Sequence, residues 1–123
     1  MTADRPAPRR GEIWSVDFDP ARGSEQGGTR PALVIQNDAG NASERYPNTI
    51  VLAMTTKGKE IPFHVRIAPG PETGLRETTW VKCEQILTIS KSWFVGNRPL
   101  GRVAPEDLKR AEVAVMLSLG IGR

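Results

Sequence analysis

Glycine and proline punctuate this chain so densely that no apolar segment before residue 105 outlasts a β-strand. Twelve Gly and ten Pro fall among 123 residues, and such residues interrupt both helical and strand periods. Short apolar runs survive between them. In residues 13–18, Trp14, Val16 and Phe18 alternate with Ser15 and Asp17, the period of a half-buried strand. Asp19-Pro20 ends that run, and a polar Gly-rich loop occupies residues 23–31. Residues 32–35 are a short apolar run suited to a buried strand. Turn-forming residues at 37–41 then open a loop that continues to Pro47-Asn48. Residues 49–55 predict another buried strand, closed by Lys57-Gly58-Lys59. In residues 63–67, Phe63, Val65 and Ile67 share one face while His64 and Arg66 share the other. Pro69-Gly70-Pro71 breaks the chain again. Residues 78–89 are long and β-rich, and residues 98–103 hold a short last strand.

Only the end of the chain predicts a helix. Pro105 suits a first helical position, and Glu106 and Asp107 suit the positive end of the helix dipole. Leu108, Ala111, Val115 and Leu119 form a stripe at helical spacing. Residues 113–117 are apolar around the whole helix, more than one small barrel covers, so a second buried surface is expected, most simply a partner subunit. Six short strands, long polar loops and one terminal helix predict a mainly β fold: a small, strongly bent antiparallel β-barrel with a C-terminal α-helix. Residues 1–9 carry Pro and Arg without apolar period and are expected to be a flexible arm. With no internal repeat or low-complexity linker, residues 10–123 are one domain.

Composition excludes several classes. Hydrophobic residues make up 38% and charged residues 25%, enough for one real core and too apolar for a disordered chain. No run approaches the ~18 continuous apolar residues of a membrane span. The opening MTADRPAPRR lacks an apolar signal core, so a cytoplasmic protein without a membrane partner is expected. A single cysteine, Cys83, leaves no intrachain disulfide and no Cys-rich zinc site. A single histidine, His64, leaves no multi-His metal site within one chain. Neither a metal nor a cofactor is expected. The net charge of +3 arises entirely in residues 91–123, which hold 6 basic and 3 acidic residues. A pI near 9.4 is compatible with nucleic acid without establishing it.

Two residues gain meaning from their places in the strand order. Arg30 begins one strand and Thr55 ends the next. If those strands pair antiparallel, the two ends are neighbours, and an arginine beside a hydroxyl can grip the oxygens of one phosphate. The loop before Arg30 is not a phosphate-binding P-loop, because it lacks the Gly-Lys-[Ser/Thr] ending and leads into a strand. It ends instead in an arginine whose backbone Pro31 holds extended. His64 has the chemistry of a general base, but the alternation turns it outward, away from Phe63, Val65 and Ile67. Cys83 alternates with Lys82 and Glu84 and suits a small core position. Trp80, Trp93 and Phe94 could stack on bases, with Trp80 better suited to the core.

These segments, taken in order, resemble a known family. Arg10-Gly11-Glu12-Ile13-Trp14, Asp19-Pro20, Gly23-Ser24-Glu25-Gln26-Gly27-Gly28-Thr29-Arg30-Pro31 and Leu33-Val34-Ile35-Gln36-Asn37-Asp38 are similar to the MazF/PemK (Kid) toxins of bacterial toxin–antitoxin pairs. The similarity continues through residues 49–55, 62–67 and 84–89 and covers about residues 10–120. The resemblance implies a homodimeric SH3-like β-barrel of the kind also used by the gyrase poison CcdB. It implies a metal-independent, sequence-specific endoribonuclease that cuts single-stranded mRNA, inhibited by a cognate antitoxin of the MazE type. By the same resemblance Arg30 falls on the catalytic arginine, Thr55 on the catalytic hydroxyl and Glu25 on a loop acid implicated in activity. Gln85, Asn37 and the loop around Arg22, with Ser24, Gln26 and Gly28, fall on segments that line the RNA groove.

The implied chemistry suits the residues. Transesterification takes its nucleophile, the 2′-hydroxyl, from the substrate. The protein has to remove that proton, stabilise charge on the phosphorus oxygens and protonate the leaving 5′-oxygen. Arg30 supplies fixed charge, worth on the order of 3–4 kcal/mol for a single lost donor, but is a poor proton donor with a pKa above ~12. Thr55 hydrogen-bonds phosphate and is no base at neutral pH. Glu25 is the carboxylate for either of two roles, general base or organiser of its loop. Two other classes fit the same fold: a non-enzymatic CcdB-like gyrase poison, and an SH3-like RNA-binding module without turnover.

Overall fold

The computed structural model describes residues 5–19 and 28–122. Its strands are β1 (Glu12–Asp17), β2 (Thr29–Val34), β3 (Asn48–Thr55), β4 (His64–Ile67), β5 (Thr79–Ser90) and β6 (Gly101–Arg102), with helices α1 (Asp38–Ala42) and α2 (Pro105–Leu119). The strands form one antiparallel sheet in the order β4-β5-β3-β2-β1-β6. The sheet curls into a half-barrel, the mainly β architecture with a C-terminal helix that the sequence predicts.

Both faces of the central strands are apolar, and each face has its own core. Ile13, Leu33, Leu52 and Met54 join Val65, Ile67, Val81 and Cys83 beneath Ala111 and Ala114 of α2. The alternate residues Trp14, Val16, Ala32, Val34 and Val51 gather Ile89 and Phe94 on the other face. There the Trp14 and Phe94 rings lie 4.7 Å apart between centroids. This two-sided burial is why the runs at 32–35 and 49–55 are continuous rather than alternating.

The curl has a local cause in β5. Its residues pair with β3 as Leu52 with Ile86 and then, beyond a register shift, Met54 with Val81. Ala53 therefore stands alone against residues 82–85. Extra residues on one strand bend it and increase its twist. The first part of β5 pairs with β3 on one edge and with β4 on the other, Val65 lying opposite Val81.

Two segments differ from expectation. Residues 38–42, read as loop, form α1, because the Asn37 side chain accepts the Gly40 N–H at 2.8 Å and caps the helix. Asn, Asp and Gly serve turns and helix caps alike. A 3₁₀ turn, Lys91–Trp93, also follows β5. At the amino end, Pro8 is buried and Arg5 Nη1 donates to the Lys91 carbonyl at 3.0 Å. Helix α2 starts at Pro105, ends at Leu119 and is capped by Gly120, whose φ of 73° is the left-handed conformation of a helix C-cap. No helix among the described residues is long and apolar enough to cross a membrane.

Candidate active site

Strands β2 and β3 pair as Ala32 with Ala53, Leu33 with Leu52 and Val34 with Val51. Continued to the start of β2 and the end of β3, this register sets Arg30 opposite Thr55. Both alternate onto the face of Ala32, Ala53 and Val51, away from α2. On the other side of β2, Arg30 stands opposite Val16 of β1. Pro31, next in the chain, keeps Arg30 extended at the strand's mouth. Arg30 is exposed and Thr55 half-buried, so a ligand can reach both.

The row continues across the sheet. Thr55 lies opposite Trp80 of β5, and Trp80 lies opposite Arg66 of β4. The next pair on the same face is His64 with Lys82. Arg30, Arg66 and Lys82 thus share one face, near the lysines of the 57–59 turn. An anion laid along this row meets fixed positive charge on several strands. Among the described residues no group of three or more His, Cys, Asp or Glu is placed to hold a metal ion.

The Thr55 hydroxyl is oriented. Lys57 N–H donates to Thr55 Oγ1 at 3.0 Å. A hydroxyl has one proton and two lone pairs, so with one lone pair occupied the proton remains for an anion on the open side. The turn is held close to the sheet. A Cβ built on Gly58 would stand 2.0 Å from Trp80 Cγ, so the backbone there rests against the indole.

His64 corrects its sequence reading. It does alternate to the polar face, but its side chain is only 6% exposed, because the turn after Thr55 folds back over it. Its Nδ1 accepts the Lys59 N–H at 3.0 Å, and its Nε2 faces Glu84 Oε2 at 3.4 Å. Trp80 is half-buried under Gly58 and belongs to neither core cluster. Cys83 lies in the core as expected, and burial pushes its thiol up to about 12, which leaves it inert near neutral pH.

The remaining sequence candidates scatter. Arg22, Ser24, Glu25 and Gln26 lie outside the described residues. Gly28 closes the base of the β1–β2 connection, its carbonyl accepting the Phe18 N–H at 2.9 Å. Gln85 is exposed in the β5 bulge beside Ala53, two residues along β3 from Thr55. Asn37 lies beyond the far end of β2 from Arg30, with its side chain engaged in capping α1. Arg66 and Lys82 are the additions. The alternation in residues 63–67 already put Arg66 on the polar face, and only the strand register brings it into line with Thr55.

Comparison with known proteins identifies the family. Residues 9–119 match the family described as PemK-like, MazF-like toxin of type II toxin-antitoxin system. The chain is 39% identical over 117 residues to Endoribonuclease MazF9 of Mycobacterium tuberculosis, covering 92% of this chain and 97% of that protein. It is 34% identical over 116 residues to Endoribonuclease MazF of Staphylococcus saprophyticus, covering 92% of each. Among solved structures, an endoribonuclease in complex with its cognate antitoxin from a mycobacterial species superposes with a TM-score of 0.71 at 26% identity, covering 95% of this chain and 99% of that one.

Proposed function

The chain belongs to the PemK-like, MazF-like toxin family of type II toxin–antitoxin systems, and on that premise we propose that it is a cytoplasmic endoribonuclease toxin held inactive by a cognate antitoxin. Its substrate is single-stranded mRNA, cut at a short sequence. The observation that carries this reading is the antiparallel β2–β3 register, Ala32 opposite Ala53, which, extended two residues, brings Arg30 and Thr55 to the same end and face of the sheet. The relatives named as endoribonucleases, and the relative solved with its antitoxin, support the activity and its control.

The cut is a transesterification. The substrate's 2′-oxygen forms a bond to the adjacent phosphorus, the bond from phosphorus to the 5′-oxygen breaks, and a 2′,3′-cyclic phosphate and a 5′-hydroxyl result. Arg30 stabilises charge that builds on the non-bridging oxygens. Thr55, its oxygen engaged by Lys57 N–H, donates a hydrogen bond to one of them. Glu25 takes the 2′-proton, or organises the loop that delivers the phosphate while water takes that proton, and in either case water protonates the leaving 5′-oxygen. Because the substrate brings its own nucleophile, the route needs no metal-activated water. Gln85, Asn37 and the loop residues Arg22, Ser24, Gln26 and Gly28 contact flanking nucleotides.

The active species is a homodimer. Val113, Met116 and Leu117 of α2 are 52%, 42% and 50% exposed, an apolar surface that a soluble protein normally covers.

The test is cleavage of a defined single-stranded transcript in excess chelator. Cutting should persist, leave 5′-hydroxyl ends and fail on the same sequence in DNA. Arg30→Ala and Thr55→Ala should each lower the single-turnover rate at least about a hundredfold and leave the thermal midpoint unchanged. Cutting that stops in chelator and returns with magnesium overturns the metal-independent route. A well-folded chain that cuts no RNA overturns the nuclease reading in favour of a binding protein.

A further inference from the structure

His64 is the side chain that core packing and the proposed chemistry leave unexplained. It sits on the face of Arg30 and Thr55, almost wholly covered, and both ring nitrogens have neighbours. Nδ1 accepts the Lys59 N–H at 3.0 Å. A ring nitrogen that accepts carries no proton, so the neutral ring bears its proton on Nε2, where Glu84 Oε2 lies 3.4 Å away. Glu84 therefore favours the tautomer that leaves Nδ1 open to Lys59.

That bond closes a short circuit back to Thr55. The Lys57-Gly58-Lys59 turn is held at one end by Lys57 N–H on Thr55 Oγ1, in the middle by Gly58 against Trp80, and at the other end by Lys59 N–H on His64. The chain then returns through Ile61 N–H to the Lys59 carbonyl at 2.9 Å and His64 N–H to the Ile61 carbonyl at 3.1 Å. Releasing Lys59 frees one end of a turn whose other end sets the Thr55 rotor. With Lys57 N–H gone, Thr55 Oγ1–H can turn to other acceptors and is no longer committed to the open face.

We propose that His64 is a positioning residue: by accepting the Lys59 N–H it holds the 57–59 turn so that Lys57 N–H occupies Thr55 Oγ1 and the Thr55 proton stays aimed at the substrate phosphate. The proposal rests on the role given to Thr55 in the proposed function. His64 touches no reacting atom. It acts on the rate through Thr55 and leaves RNA affinity nearly alone.

The test uses the full chain and a labelled RNA oligonucleotide spanning one cut site mapped by sequencing. His64→Ala should slow single-turnover cleavage about tenfold, the loss of one orienting hydrogen bond. Affinity for the same oligonucleotide with a 2′-deoxy sugar at the cut should change by less than about twofold. His64→Asn, whose Oδ1 takes the place of Nδ1, should restore most of the rate. His64→Gln, which reaches only the position of Nε2, should not. In a Thr55→Ala background His64→Ala should cost nothing more. An unchanged rate in His64→Ala, a His64→Asn variant as slow as His64→Ala, or additive losses with Thr55→Ala overturns the proposal. Amide hydrogen exchange reads the turn without catalysis. His64→Ala should speed exchange at Lys57 and Lys59 while core amides keep their protection, and unchanged exchange at Lys57 overturns the proposal whether or not RNA is cut. Faster exchange at Lys57 in a chain whose Thr55→Ala variant cuts at full rate supports the hold on the turn and overturns the role given to Thr55.

Discussion

Gly58 carries no side chain because Trp80 leaves no room for one. An added Cβ would meet Trp80 Cγ at 2.0 Å and Trp80 Cβ at 2.3 Å, the root of the side chain, which cannot swing aside as a flexible tip would. Either the indole or the turn has to move. Overpacking of this kind costs about 1–3 kcal/mol, and moving the turn displaces the Lys57 N–H from Thr55. Gly58→Ala should therefore lower the thermal midpoint and, assayed well below it, slow RNA cleavage as well. Cleavage at the full rate in a destabilised Gly58→Ala chain would show that the indole yields and the turn stays. The glycine was legible only as a turn residue, because its partner Trp80 lies on a strand more than twenty positions later. Arg30 and Thr55 were legible for the opposite reason. Arg30 opens one strand and Thr55 closes the next, and antiparallel pairing of successive strands brings such ends together.

Helix α1 shows what a side chain contributes when two roles compete for it. Asn37 caps the helix, Asn41 Oδ1 accepts from Gln36 Nε2 at 3.0 Å and from Thr49 Oγ1 at 2.7 Å, and Lys91 Nζ donates to the Gly40 and Ser43 carbonyls. The Arg10 N–H on the Asp38 carboxylate holds that group below its ordinary range. Asn37→Ala should cost about 1 kcal/mol, the usual value of an N-cap, and Asn37→Ser should recover it. If Asn37 also contacts RNA, Asn37→Ser will restore the thermal midpoint but not the affinity for an uncleavable RNA. Recovery of both would confine Asn37 to capping. The strands themselves were readable from their apolar periods to within a residue or two at most ends. Their register was not, because it turns on the β5 bulge, where Ala53 faces residues 82–85. No local pattern in residues 82–85 announces a bulge, since Cys83 alternates with Lys82 and Glu84 as in any regular strand. The row from Arg30 to Arg66 depends on that bulge and so became visible only in three dimensions.

The molecule leaves one large feature unaccounted for by its own packing. Helix α2 buries Ala111 and Ala114 against the sheet, yet Val113, Met116, Leu117, Leu119 and Ile121 all remain at least 42% exposed, with Ile61 nearby at 39%. Leu108 and Val115 also pack inward, so the outward residues are apolar surface in excess of what a helix packed only on its own domain requires. We propose that a second copy of the chain covers this surface. Met116→Glu places a charge in that apolar surface, and the protein should then sediment as monomer or aggregate, whereas the unsubstituted chain should sediment as dimer. The thermal midpoint of the unsubstituted chain should rise with concentration, as association stabilises the folded form. That of Met116→Glu should not. The same variant asks whether cleavage needs two subunits. Helix α2 covers the face of Leu33, Leu52 and Met54, whereas Arg30 and Thr55 alternate onto the other, so a charge at Met116 does not disturb them directly. Loss of cleavage in a folded Met116→Glu monomer would then mean that the partner completes the RNA groove, and full cleavage would mean that one subunit carries a whole site. An unsubstituted chain that sediments as monomer at micromolar concentration overturns the dimer and leaves the apolar helix to another partner.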